Sequence, residues 1–164
     1  MPDFRAGERT FQLLTQVAGR AGRGDREGEV IVQTFTPFHP AIQAARNLDY
    51  DGFIAQELEY RRELGYPPVG HLVCLTLRAT DEKLVQLTGT TLAKRLKECL
   101  PAGVHLGGPT PAPLAKARGE FRYQIMLRAP TTRAMTNPLR ELLRVFKWPE
   151  AVAWSVDVDA VSLL

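Results

Sequence analysis

The densest chemistry in this sequence lies in eight residues near its start, Gln16-Val17-Ala18-Gly19-Arg20-Ala21-Gly22-Arg23, which form a Q-x-x-G-R-x-G-R pattern. Two arginines three apart at a helix end share one face. The small residues around them let a phosphate-bearing surface approach the backbone closely. A guanidinium suits that task because its planar fork binds phosphate oxygens two at a time and never loses its charge. Aimed at a terminal phosphate, it stabilises the charge that builds up during phosphoryl transfer. The same arginines at a helix C-terminus also complement the helix dipole, a purely structural use. The residues alone leave both uses open.

A second feature is a basic block. Between Thr110 and Lys147 stand Lys116, Arg118, Arg122, Arg128, Arg133, Arg140, Arg144 and Lys147, opposed only by Glu120 and Glu141, a local net of +6. Such a block marks either a nucleic-acid surface or a solvated face. Arg122 and Arg128 alternate along one strand face beside Lys116 and Arg118, so these four are the candidate contacts to DNA phosphates. Little else reads as chemistry. Cys74 and Cys99 lack metal-ligand spacing and read as thiols of a reducing compartment, the cytoplasm. His39, His71 and His105 are scattered and form no triad or metal set. No nucleophile–base pair or carboxylate dyad emerges, which disfavours a small independent enzyme. No apolar run approaches a membrane span, and no secretory signal precedes the first helix.

These residues need elements to hold them. Phe11, Leu14 and Ala18 recur at helical spacing, which predicts a helix over 8–21 stopped by Gly22 and Gly24. The β-branched run 29–35 predicts a short strand ended by Pro37. One helix and one strand cannot close a sheet, so residues 1–37 read as the end of an α/β unit whose other strands lie upstream of Met1. Helices are predicted over 39–48 and 52–64, with Phe53, Leu58 and Tyr60 as anchors of the second, and Gly65-Tyr66-Pro67-Pro68 breaks the chain. Residues 38–68 are therefore a helical connector. Residues 69–164 read as a small α+β domain with the order β-α-β-β-α-β, a split-βαβ sandwich carrying two helices on one face of an antiparallel sheet. Its strands are expected at 72–79, 104–106, 121–129 and 152–158. Its helices are expected at 82–100, with Leu84, Leu87, Leu92 and Leu96 on one side, and at 131–146, kinked or restarted at Asn137-Pro138. A Pro-rich bend is expected from Gly107 to Pro113. Trp148 and Trp154 are expected to pack in the core or a hinge, with Val152, Trp154, Val156 and Val158 on one strand face.

The flanks of the arginine motif add a resemblance. Pro2-Asp3-Phe4-Arg5-Ala6, Glu8-Arg9 and Phe11-Gln12-Leu13-Leu14 lead into it in a way that resembles the last motif of superfamily 2 helicases as the PriA-type replication-restart helicases carry it. Gly28-Glu29-Val30 with Gln33-Thr34, and Glu59-Tyr60-Arg61-Arg62-Glu63-Leu64-Gly65-Tyr66-Pro67-Pro68, are similar to that family in the same order. So are Gly108-Pro109, Pro111-Ala112-Pro113, Phe121-Arg122-Tyr123-Gln124-Ile125 and Asp157-Val158-Asp159. The resemblance implies that residues 1–37 end the second, RecA-like helicase lobe. Gln16, Gly19, Arg20 and Arg23 would face the nucleotide there, with Arg23 as the arginine finger and Arg20 as a second phosphate contact. It implies a parent that moves 3′ to 5′ on DNA with ATP and magnesium in primosome assembly and restart of stalled forks. The C-terminal domain would bind forked or single-stranded DNA without sequence preference. The single-stranded-DNA-binding protein and other primosome proteins would be partners.

The departures matter equally. The sequence has no G-x-x-x-x-G-K-[ST] phosphate loop and no Asp-Glu magnesium motif, so the isolated chain is expected to be inactive towards ATP. The family's cysteine-rich zinc-binding insertion is absent, and two distant cysteines cannot replace it, so this chain is expected to bind no metal. Ala160 follows Asp159 where the family has proline. The rival reading is a stand-alone α+β module that binds nucleic acid or protein without catalysis.

Overall fold

A computed structural model of the chain describes residues 4–21 and 28–160. They fall into two compact units, Phe4–Tyr60 and a second that begins at Arg61.

The first unit holds α1 (Ala6–Ala21), α2 (Pro40–Asn47) and most of α3 (Tyr50–Leu64). Phe11, Ala41, Ala45 and Phe53 are its buried core, and the Phe11 and Phe53 rings stack with centroids 4.5 Å apart. Local chemistry sets the helix ends. Arg5 bridges Glu8 in the first turn of α1 at 2.9 Å. His39 Nδ1 accepts the Ala41 amide to cap α2, and Pro40 fits the first helical position, where no amide hydrogen is needed. Residues 28–35 overturn the expected strand. They are irregular, with Ile31 and Phe35 fully exposed. A strand is stabilised by a ladder and by a face to pack on; among the described residues this run has no strand beside it, so β-propensity alone does not form one.

The second unit is α+β. β1 (His71–Ala79), α4 (Glu82–Cys99), β2 (His105–Ala117), β3 (Glu120–Ala129), α5 (Thr132–Val145) and β4 (Ala153–Val158) follow in that order. The four strands form one sheet in the order β2-β3-β1-β4, and all neighbours are antiparallel. Alternation builds the core as expected. Val73, Leu75, Leu77 and Ala79 of β1 lie opposite Leu127, Ile125, Tyr123 and Phe121 of β3. They pack against Val85, Leu92 and Leu96 of α4 and Met135 and Leu139 of α5, so both helices cover one face. Each fully buried large side chain here is worth about 1.5–3 kcal/mol of transfer free energy. Asp81 caps α4 by accepting the Lys83 and Leu84 amides.

Three details correct the sequence reading. Leu87 is two-thirds exposed, because the core face of α4 runs through Val85, Thr88, Gly89 and Leu92 instead. Gly89 lets α4 press onto the sheet, since a Cβ there would stand 3.0 Å from Pro109 and 3.2 Å from Leu77. The Pro-rich stretch is not a bend but part of the 13-residue β2, with register shifts between Gly107 and Thr110 and between Pro111 and Lys116. An edge strand tolerates prolines because one side of its backbone needs no ladder donor. Finally, α5 continues through Pro138 without a restart.

Candidate functional site

The arginine motif lies on the last turns of α1. Gln16 and Arg20, four residues apart, share one face and are exposed, whereas Gly19 lines a hollow with Leu14, Val32, Ile42 and Leu48. Arg23, the expected finger, lies outside the described residues.

The candidate DNA contacts separate into two places. Lys116, Arg118 and Arg122 all lie at or beside the β2–β3 hairpin, but Lys116 is on the Phe121 face of the sheet and Arg122 on the opposite face. Arg118 and Gly119 form the hairpin's two-residue connection, with φ of +51° and +84°, the pattern of a tight hairpin turn whose twist matches its strands. Arg118 is exposed at the apex. Lys116 Nζ sits 4.4 Å from the Phe121 ring centre. Arg122 pairs in register with Arg78, whose guanidinium reaches Glu120 only at 4.0 Å. Arg78 is therefore a further cation, beside Arg122 on the same face. Sequence spacing could not place it there, because the pairing joins residues 44 positions apart across the sheet.

Arg128 stands apart from these cations. It lies six residues along β3, roughly 20 Å away at strand rise. Its guanidinium stacks over the Tyr66 ring at 4.7 Å and donates to the Leu64 carbonyl. The face it shares is also less open than alternation suggested, for Gln124, Met126, Leu72 and Cys74 on it are buried. Burial accordingly pushes the Cys74 thiol up from its ordinary pKa, with the Thr76 hydroxyl as the main opposing influence.

A family model for the primosomal protein N C-terminal domain matches residues 62–161. The chain belongs to this family. Its similarity to longer members reaches beyond that domain. A protein named Replication restart protein PriA from Synechocystis sp. is 42% identical over 161 residues, 98% of this chain and 19% of the relative. The protein of that name from Bacillus subtilis is 37% identical over 90% of the chain and 18% of itself. That of Treponema pallidum is 39% identical over 99% of the chain and 25% of itself. The chain thus spans between 18% and 25% of the length of these PriA relatives.

Within the family domain, two further features stand out. His71 Nδ1 lies 2.9 Å from Asp159 Oδ2, while the other Asp159 oxygen accepts the Leu72 amide, so this pair ties the start of β1 to the end of β4. Burial raises the Asp159 carboxyl, but the bonds from His71 and the Leu72 amide outweigh it and leave the pKa below its ordinary value. The second feature is a groove of about 480 Å³ between α5 and β4, lined by Leu139, Leu143, Trp154, Val156 and Val158 with Arg140 and Arg144 at its rim. Trp154, expected in a core or hinge, is 41% exposed there. Among the described residues, no group of three potential ligands could hold a metal ion, and no helix is long and apolar enough to cross a membrane.

Proposed function

We propose that this chain works within an ATP-dependent DNA helicase that moves 3′ to 5′ and restarts stalled replication forks. It would contribute the arginine-bearing side of the ATP site and a domain that binds DNA and partner proteins. The observation that carries this reading is the extent of the similarity. An alignment of 161 of 164 residues with a replication restart protein takes in the Gln16–Arg23 segment as well as the C-terminal domain.

Gln16 and Arg20 on one exposed helical face suit an anionic phosphate, and Arg23 would be the finger that meets charge developing on the transferred phosphoryl group. The chain offers no phosphate loop. ATP and magnesium would be held by another lobe, and zinc by a cysteine-rich insertion outside this chain. At the hairpin, Lys116, Arg118, Arg122 and Arg78 would contact DNA phosphates, forked or single-stranded, without reading sequence. The single-stranded-DNA-binding protein and other primosome proteins would be partners, in the cytoplasm. The compact unit beginning at Arg61, with its own core, also suits a stand-alone binding module.

Two measurements test the proposal. The isolated chain should hydrolyse no ATP but should bind DNA weakly, with an affinity that falls steeply with salt. In a longer protein carrying this chain, Arg23→Ala should lower ATP turnover on the order of 10³-fold or more while leaving DNA binding intact. Near-normal turnover in that variant, or ATP turnover by the isolated chain, would refute the assignment.

A further inference from the structure

The groove between α5 and β4 carries an aromatic surface, a row of cations and an open strand edge in one place. Trp154 stacks on Trp148 with ring centres 5.1 Å apart and planes 18° from parallel, and Phe146 meets Trp148 edge-on at 4.8 Å. Trp154 is thus fixed from behind while it remains 41% exposed on the groove. Arg133, Arg140 and Arg144 lie seven and four residues apart, close to whole helical turns, so they form one stripe about 16 Å long on α5. All three are exposed, and among the described residues only Glu141 opposes them, at 3.9 Å from Arg144.

The strand edge completes the site. The Asp159 amide bonds to Leu72 of β1. Antiparallel alternation then directs the amides of Asp157 and Ser155 to β1 as well, and turns those of Trp154, Val156 and Val158 away from it. The residues whose side chains line the groove therefore also present, along it, donors and acceptors that no strand among the described residues pairs. Β4 is an edge strand, with no strand beyond it among the described residues.

We propose that this groove binds single-stranded nucleic acid, with a base on the open face of Trp154 and the phosphates following Arg133, Arg140 and Arg144. A cationic groove with an aromatic platform is the physical pattern of such sites, since every base has a face to stack and every phosphate a charge to neutralise. A second copy of the chain fits poorly, because pairing two β4 edges would bring like-charged stripes together. A duplex keeps its bases inside and leaves nothing to lie on Trp154. The proposal rests on the DNA-binding reading above, but places the single strand away from the β2–β3 hairpin.

The test is titration of the full chain with short oligo(dT) and with a duplex of equal length, read by tryptophan fluorescence and by affinity across a salt series. Oligo(dT) should quench the fluorescence and the duplex should not. Trp154→Ala should weaken oligo(dT) binding between about fivefold and 150-fold, the range of one base–aromatic stack, and Trp154→Phe should restore much of it. Arg140→Gln with Arg144→Gln, both on exposed helix surface, should keep the circular dichroism spectrum and reduce the salt slope by about 1.4, at 0.7 per phosphate contact. Oligo(dT) binding that ignores all these variants but is lost in Lys116→Gln with Arg122→Gln overturns the groove and spares the DNA-binding reading. Quenching by an extended acidic peptide but not by oligo(dT) also overturns it, and makes the groove a protein-docking site. Failure of the chain to bind any DNA at low salt removes both readings.

Discussion

Arg128 and Arg122 occupy the same strand face, yet their surroundings differ, and replacing each with glutamine tests what that difference is worth. The Arg128 guanidinium stacks over Tyr66 at 4.7 Å and donates to the Leu64 carbonyl, bracing the C-terminal end of α3 and the turn after it against β3. A cation–π contact at a partly exposed site is worth about 0.5–1 kcal/mol, and a hydrogen bond from a charged group about 1.5–3 kcal/mol. Half-exposure screens both, so Arg128→Gln should cost about 2 kcal/mol. For a chain of this size that corresponds to a fall in Tm of about 4–8 °C. Arg122→Gln, with no ring or carbonyl to lose, should stay within about 0.5 kcal/mol of the parent. Urea and thermal unfolding of the two variants, followed by circular dichroism, make the comparison, and Arg128→Lys should recover only part of the loss because an ammonium lacks the planar stack. Equal stability of the two glutamine variants would refute the bracing role.

The Asp159 carboxyl, held below its ordinary value of 3.8, stabilises the fold above that pH and loses the contribution as pH falls through the lower folded value. The difference in Tm between the parent and Asp159→Asn should therefore shrink as pH falls below about 4; a difference unchanged in acid would remove the His71–Asp159 tie from the account. Gly108 adopts φ of +95°, and a Cβ there would stand 2.5 Å from the Gln124 carbonyl oxygen. Gly108→Ala should destabilise by more than about 2 kcal/mol, visible as a lower urea midpoint; a midpoint within error of the parent would show that β2 can shift away from β3 at no cost.

Much of this architecture was legible along the chain. Period-two alternation gave the faces of β1 and β3, apolar spacing gave α1 and α4, and the order of elements gave an α+β unit. These patterns are local, and each follows from how side chains project from a helix or a strand. Gln16 and Arg20 of the arginine motif fall on one helix, as their spacing predicts, because a four-residue interval is local to a helix. Tertiary structure decided the rest. Residues 28–35 have strand chemistry without a partner strand, and the prolines of 109–113 read as a bend until an edge position excused their missing donors. Arg122 and Arg128 looked equivalent in spacing, but only the folded chain brings Tyr66 under one and Arg78 beside the other. Likewise, alternation put Trp154 on the helix-facing side of β4, while the edge position of that strand left it uncovered. Sequence fixes which side chains share a face; what stands opposite that face depends on contacts between residues far apart in the chain, and those exist only once the sheet has closed.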